Sequence, residues 1–148
     1  MDTSEPILDR SKLEDKYERM LPSYSAVLTA LCDKIQKCLE DAGMHPTVKS
    51  RVKTFPSWFS KRIRLLQQSR AAGDVEPLPI SDTIALRVVC PFIGDLARVE
   101  SELKQCFKVV EVERKGADRS FREFGYESTH ILIEIPADLR KAHKGLDI

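Results

Sequence analysis

The sequence predicts an α/β domain of the α+β kind, with helices first and then strands alternating with a helix around a small mixed sheet. Three observations carry this prediction. From Ser23 onward, Tyr24, Val27, Leu28, Leu31, Ile35 and Leu39 recur at three- and four-residue steps and form one apolar helical stripe. Thr83 to Cys90 (TIALRVVC) is a β-branched, nearly continuous apolar run of strand length, the kind buried on both faces of a sheet. The 148 residues fit one domain, which buries roughly two-thirds of its unfolded surface around a single core.

The elements follow in chain order. Residues 1–6, ending Glu5-Pro6, read as a disordered N-terminus, and one domain is expected over 7–148. A first helix is expected from Ile7 to Leu21, interrupted by Pro22, which lacks an N–H and clashes inside a helix. The second starts at Ser23 and closes at Gly43 as its C′ residue, so that 7–43 forms an N-terminal helical part. Lys49 to Arg70 holds seven basic residues and no acidic one. Pro56 is tolerated only in a first turn, which starts a third helix near it and leaves Lys53 just ahead. Ala71 to Pro79, with Gly73, Pro77 and Pro79, reads as a loop. After the Thr83–Cys90 strand come a helix at Gly94 to Cys106 and a strand at Phe107 to Glu113. A charged loop at Lys115 to Phe124 then precedes a strand at Ser128 to Ile135, which Pro136 ends, and a short helix at Ala137 to Lys144.

Composition narrows the function classes. Apolar residues make up 42% and charged residues 32%, with a net charge of +1, so bulk charge selects no partner. No apolar run approaches the roughly 20 residues of a membrane helix, and the start MDTSEPILDR lacks the basic and apolar regions of a signal peptide; a cytoplasmic protein with no membrane partner is expected. Cys32, Cys38, Cys90 and Cys106 form no CxxC pair and read as buried, reduced thiols. His45, His130 and His143 are too scattered for a zinc site.

Three constellations could carry chemistry. In a helix starting near Pro56, Ser57 and Lys61 lie one turn apart on one face, with Arg51 and Lys53 extending the positive surface from the preceding turn and free N–H groups at the helix start. That suits a nucleotide triphosphate; a solvated basic face is the competing reading. Asp82 at a strand mouth could hold Mg²⁺ through a hard oxygen, or merely cap the strand. Arg87 follows five residues later, an odd separation that puts the two on opposite strand faces unless a bulge or the strand start intervenes. In Phe124-Gly125-Tyr126-Glu127-Ser128-Thr129-His130, Tyr126 could stack on a base and His130 could pair with phosphate, with Arg122 just ahead; a hairpin corner is the alternative.

Taken in order, RVKTFPSWFSK, DTIALR and GYESTH resemble the RxKxxxSxxxK, D-x-x-x-x-R and GYxSxH patterns of the synthetase domain of RelA/SpoT proteins and small alarmone synthetases, over about Val48 to Ile135. The resemblance implies a nucleotidyltransferase-like mixed β-sheet flanked by helices, and a pyrophosphokinase (GTP diphosphokinase) that moves pyrophosphate from ATP to the 3′-hydroxyl of GDP or GTP to make (p)ppGpp. It implies that Arg51 and Arg87 sandwich adenine and that Lys53, Ser57 and Lys61 hold the ATP phosphates. Asp82 would bind the catalytic Mg²⁺, Tyr126 would stack on guanine, and Arg122 and His130 would lie near the acceptor phosphates.

Departures from the pattern set further expectations. Phe124 and Glu127 replace residues that are usually polar, and Gln or Arg, which leaves the choice of acceptor open. The family continues into a motif like E-x-Q-I-R, whose glutamate is assigned to activating the acceptor hydroxyl, whereas this sequence stops at Gly145-Leu146-Asp147-Ile148. The catalytic C-terminal strand is therefore expected to be missing. The piece alone should make little or no alarmone, since a general base contributes about 10²–10⁴-fold. The hydrolase half of long relatives needs a His-Asp pair, and no such dipeptide occurs. Two other readings stay open: a catalytically silent nucleotide-binding or regulatory module, and a relative of toxins that pyrophosphorylate tRNA ends. The 7–43 helices could pack on their own domain or in a homo-oligomer.

Overall fold

The computed structural model describes residues 9–73, 79–115 and 128–143. Helix α1 (Arg10–Asp41) comes first, then β1 (Thr47–Val52), α2 (Phe55–Ala72), β2 (Ile84–Val89), α3 (Gly94–Cys106), β3 (Val109–Lys115), β4 (Ser128–Ile133) and α4 (Ala137–Ala142). The α+β class is as the sequence predicts. Among the described residues the strands pair as two antiparallel ladders, β1–β2 and β3–β4, rather than as one mixed sheet.

The two helices expected on either side of Pro22 are one 32-residue helix running through it. Asp9 caps its start by accepting from the N–H groups of Ser11 and Lys12. Tyr17 and Tyr24 fall on the same side as Val27, Leu28, Leu31, Ile35 and Leu39, and all seven are buried. Packing along that stripe on both sides of Pro22 offsets the roughly 3 kcal/mol that an internal proline costs. Gly43 ends the helix as expected, at φ 79°. Its N–H donates to the Glu40 carbonyl and that of Met44 to the Leu39 carbonyl, the paired bonds of a left-handed helix stop.

Strand β1 is an element that the sequence pattern does not predict, since the residues ahead of α2 stand out only by their basic charge. It runs antiparallel to β2 from Thr47↔Val89 to Val52↔Ile84. Val48, Val52, Ile84, Leu86 and Val88 turn inward against α1 and its neighbours, while Lys49, Arg51, Arg87 and Val89 are exposed. The run around β2 is thus covered on one face only, since antiparallel ladders can leave a face to solvent.

Helix α3 lies beside the end of α1, and Val99 and Leu103 join Ile35, Leu39 and Met44 in one core cluster. Cys38 and Cys106 meet there as a disulfide with Cα atoms 6.7 Å apart. This corrects the expectation of four reduced, buried thiols: two α-helix ends packed side by side bring these cysteines together, and Cys32 and Cys90 alone stay free. Ile131 and Ile133 of β4 and Leu139 of α4 complete the core against α1. The N-terminal helical part therefore packs on its own chain. No helix among the described residues is long and apolar enough to cross a membrane.

Candidate functional site

The first turn of α2 organises the site. Thr54 is its N-cap, accepting from the Ser57 N–H at 3.4 Å, and Pro56 sits in the first turn, where its missing N–H costs nothing. No acidic residue occupies that turn, so the positive end of the helix dipole is left for an incoming anion. Ser57 and Lys61 follow on one face. Lys53 enters from the end of β1, its N–H donating to the Thr83 carbonyl at 2.7 Å, which holds the backbone of residue 53 beside the Asp82–Thr83 turn.

Asp82 is the meeting point. Its Oδ2 accepts from Lys53 Nζ at 3.0 Å and its Oδ1 from Lys61 Nζ at 2.7 Å. The lysine side chains are only 13% and 24% exposed, against 37% for the carboxylate. Partial burial pushes the Asp82 pKa up, but the hydrogen bonds and charges of Lys61 and Lys53 outweigh it and leave the carboxyl below its ordinary range. Asp82 precedes β2, whose first residue is Ile84, so the strand-parity conflict with Arg87 does not arise.

These groups line an open cleft of about 460 Å³ together with Pro56, Ser60 and Arg64. Ser60 and Arg64 went unassigned in the sequence. The signal for Arg64 was present, because residues 57, 61 and 64 share one helix face. A further contributor is Tyr17 of α1, whose hydroxyl donates to the Lys53 carbonyl from a buried aromatic cluster with Tyr24, Phe55 and Trp58. Burial first, then the nearby Tyr24 and Asp82 charges, push its pKa up to about 12. Nothing in the local sequence around Lys53 points to a residue 36 positions away.

Arg51 and Arg87 stand outside the cleft lining, on the exposed face of the β1–β2 ladder. Arg51 pairs with Ala85 and Lys49 with Arg87, so the two arginines are diagonal neighbours on one face, a separation of typically about 7–8 Å. His130 lies elsewhere, exposed on β4 across from Glu113. Arg122 and Tyr126 fall outside the described residues.

Among the described residues no three His, Cys, Asp or Glu side chains gather as a metal cage. Asp82 supplies one hard oxygen, a donor set that suits Mg²⁺, which keeps several waters and completes its shell from ligand phosphates. Chemically, the cleft offers cations and helix N–H groups to a polyanion and one carboxylate to a divalent cation that such a polyanion carries.

Over 91 residues, 62% of its length, the chain is 34% identical to the GTP pyrophosphokinase YwaC of Bacillus subtilis (strain 168), and the match spans 42% of that protein's length. Residues 50–145 fit the family described as the region found in RelA / SpoT proteins. That span begins beside Arg51 and takes in the whole α2–Asp82 cleft, and on it this chain belongs to the RelA/SpoT family.

Proposed function

We propose that the cleft is the donor half of a nucleotide pyrophosphokinase, which transfers the β,γ-pyrophosphate of ATP to the 3′-hydroxyl of GDP or GTP. The observation that carries this reading is the convergence of Lys53 and Lys61 on Asp82 at the uncompensated N-terminus of α2. Without nucleotide, Asp82 holds both ammonium groups. A triphosphate offers them stronger anionic partners, which frees Asp82 for Mg²⁺; the bound ion would neutralise charge on the transferring group.

In this reading Ser57 and the first N–H groups of α2 hold phosphate oxygens, and Arg64 extends the cradle by one turn. Arg51 and Arg87 take the adenine between them. Their place as diagonal neighbours on one exposed strand face supports this, since both planar guanidinium groups can reach a ring on that side of the ladder. Tyr126, Arg122 and His130 serve the acceptor. The 3′-oxygen forms the new bond to the β-phosphorus, the bond from that phosphorus to the α-phosphate bridge breaks, and AMP leaves. The hydroxyl proton needs a base. The one carboxylate of the described cleft is the metal ligand, so none of these residues is assigned that role.

The test is calorimetric titration with α,β-methylene-ATP, whose transferred bond cannot break. Wild-type chain should bind it in a Mg²⁺-dependent manner, Asp82→Asn should lose most of the Mg²⁺ dependence, and Lys61→Ala should weaken binding. Binding indifferent to Mg²⁺ and to both substitutions would overturn the proposal. Titration with GDP and with GTP in the presence of Mg²⁺ and the analogue then reads the preferred acceptor from the two affinities.

A further inference from the structure

We propose that Tyr17 is a positioning residue for the ATP phosphates, acting from α1 through the Lys53 backbone; this rests on the donor-site reading above. The residue lies outside the 50–145 segment that fits the family.

Lys53 sits one residue past the last ladder rung, Val52↔Ile84. Its direction is therefore not dictated by strand pairing alone. Two bonds fix it instead. On one side its N–H donates to the Thr83 carbonyl; on the other its carbonyl accepts from the Tyr17 hydroxyl. Thr83 is itself buried and follows Asp82 directly, so the first bond ties Lys53 to the carboxylate's own turn. The second ties it to α1, the helix packed against the β1–β2 ladder.

Tyr17 can serve as a fixed point because its ring cannot shift freely. It is 4% exposed and packs on Tyr24 at 5.7 Å, Phe55 at 5.7 Å and Trp58 at 5.4 Å between ring centroids. Phe55 and Trp58 belong to the first turn of α2, next to Ser57. One side chain thus registers both the lysine and the helix start against α1. A tyrosine ring carries a polar tip on a rigid body with two rotatable bonds, which suits it to hold a backbone group at a set depth. The high pKa of its hydroxyl keeps it a neutral donor across the working pH range.

Tyr17→Phe keeps the ring and deletes the donor. Wild type and variant are titrated with Mg²⁺ and α,β-methylene-ATP, and in parallel with AMP, well below both melting transitions, with the folded fraction read by circular dichroism. A loss of folded protein weakens both ligands by the same factor, so the ratio of the two affinities, and the values corrected for folded fraction, report the site itself. The expected result is a corrected analogue affinity about three- to tenfold weaker, the size of one hydrogen bond, with AMP affinity unchanged. An unchanged corrected analogue affinity, or an equal loss for both ligands, overturns the inference even if the melting temperature falls. Wild type that binds the analogue no better than AMP overturns the donor-site reading instead.

Discussion

Two carboxylates in this molecule each take two cations, and they do so with opposite burial. At Asp82 the partners Lys53 and Lys61 are the buried members, 13% and 24% exposed, while the carboxylate is 37% exposed. At Glu100 on α3 the carboxylate is only 8% exposed, while Lys104 and Arg114 are 51% and 64% exposed. An accessible anion on two pre-positioned, desolvated cations can be exchanged for a ligand's anion. An almost buried anion whose cations reach in from solvent cannot be replaced and pins α3 to β3 instead. The difference separates the candidate binding site from a structural pin although the residue types are nearly the same.

The largest expected effect tests whether these two regions are independent. The Cys38–Cys106 bond ties α1, beneath the Asp82 cleft, to α3, which carries Glu100, across 68 residues of sequence. Cys106→Ser should lower stability by about 2–4 kcal/mol, or roughly 5–15 °C in melting temperature by calorimetry. Binding of α,β-methylene-ATP should be unchanged, since the cleft groups lie just past β1, on α2 and at the Asp82 turn, and Tyr17 stands roughly 30 Å along α1 from Cys38; a tenfold loss would show the two regions to be coupled. Next in size, Lys61→Ala removes a charge-assisted partner of the ligand, at about 1.5–3 kcal/mol, which is roughly ten- to hundredfold in affinity. Its melting temperature should stay close to wild type, because Lys53 continues to partner Asp82.

How much of this was legible in the sequence divides along the same line. The start of α2, helix α3, the stop at Gly43 and the grouping of Lys53, Ser57 and Lys61 follow from local spacing, whereas Asp82, 21 residues beyond Lys61, joins them only through the family resemblance. Strand β1 was not legible, because Thr47-Val48-Lys49-Ser50-Arg51-Val52 has only Val48 and Val52 as inward apolar residues and its basic residues dominate the pattern. Pro22 signalled a break that long-range packing overrides. Tyr17 and the Cys38–Cys106 pair depend on contacts between distant helices, which no local spacing encodes.

Glu100 sharpens the comparison from the other side. The hydrogen bond from Lys104, with Arg114 and Lys104 charge, holds its carboxyl below the ordinary glutamate range despite burial. A folded-state pKa below the unfolded one stabilises the fold above the unfolded value, and that stabilisation is lost as pH falls through the folded value. Glu100→Gln should therefore melt earlier than wild type at neutral pH, and the gap should close as the solution is acidified below the ordinary glutamate pKa. Analogue binding at neutral pH should not change. A gap that persists in acid would assign the loss to packing rather than to charge.

The smallest effect falls on the cap that links the two kinds of role. Thr54 satisfies the Ser57 N–H at 3.4 Å, a long bond for a helix that both packs on Tyr17 and presents Lys61. Thr54→Ala should cost about 1 kcal/mol or less of stability, at the low end for caps because of that length. The same substitution leaves the Ser57 N–H without its side-chain acceptor at a helix start where an anion is expected. A bound phosphate can then take the vacated donor, so the analogue should stabilise Thr54→Ala at least as much as it stabilises wild type. Melting curves with and without Mg²⁺ and α,β-methylene-ATP measure this. A smaller ligand-induced shift in Thr54→Ala would mean that the cap shapes the α2 N-terminus for the ligand rather than competing with it for one N–H.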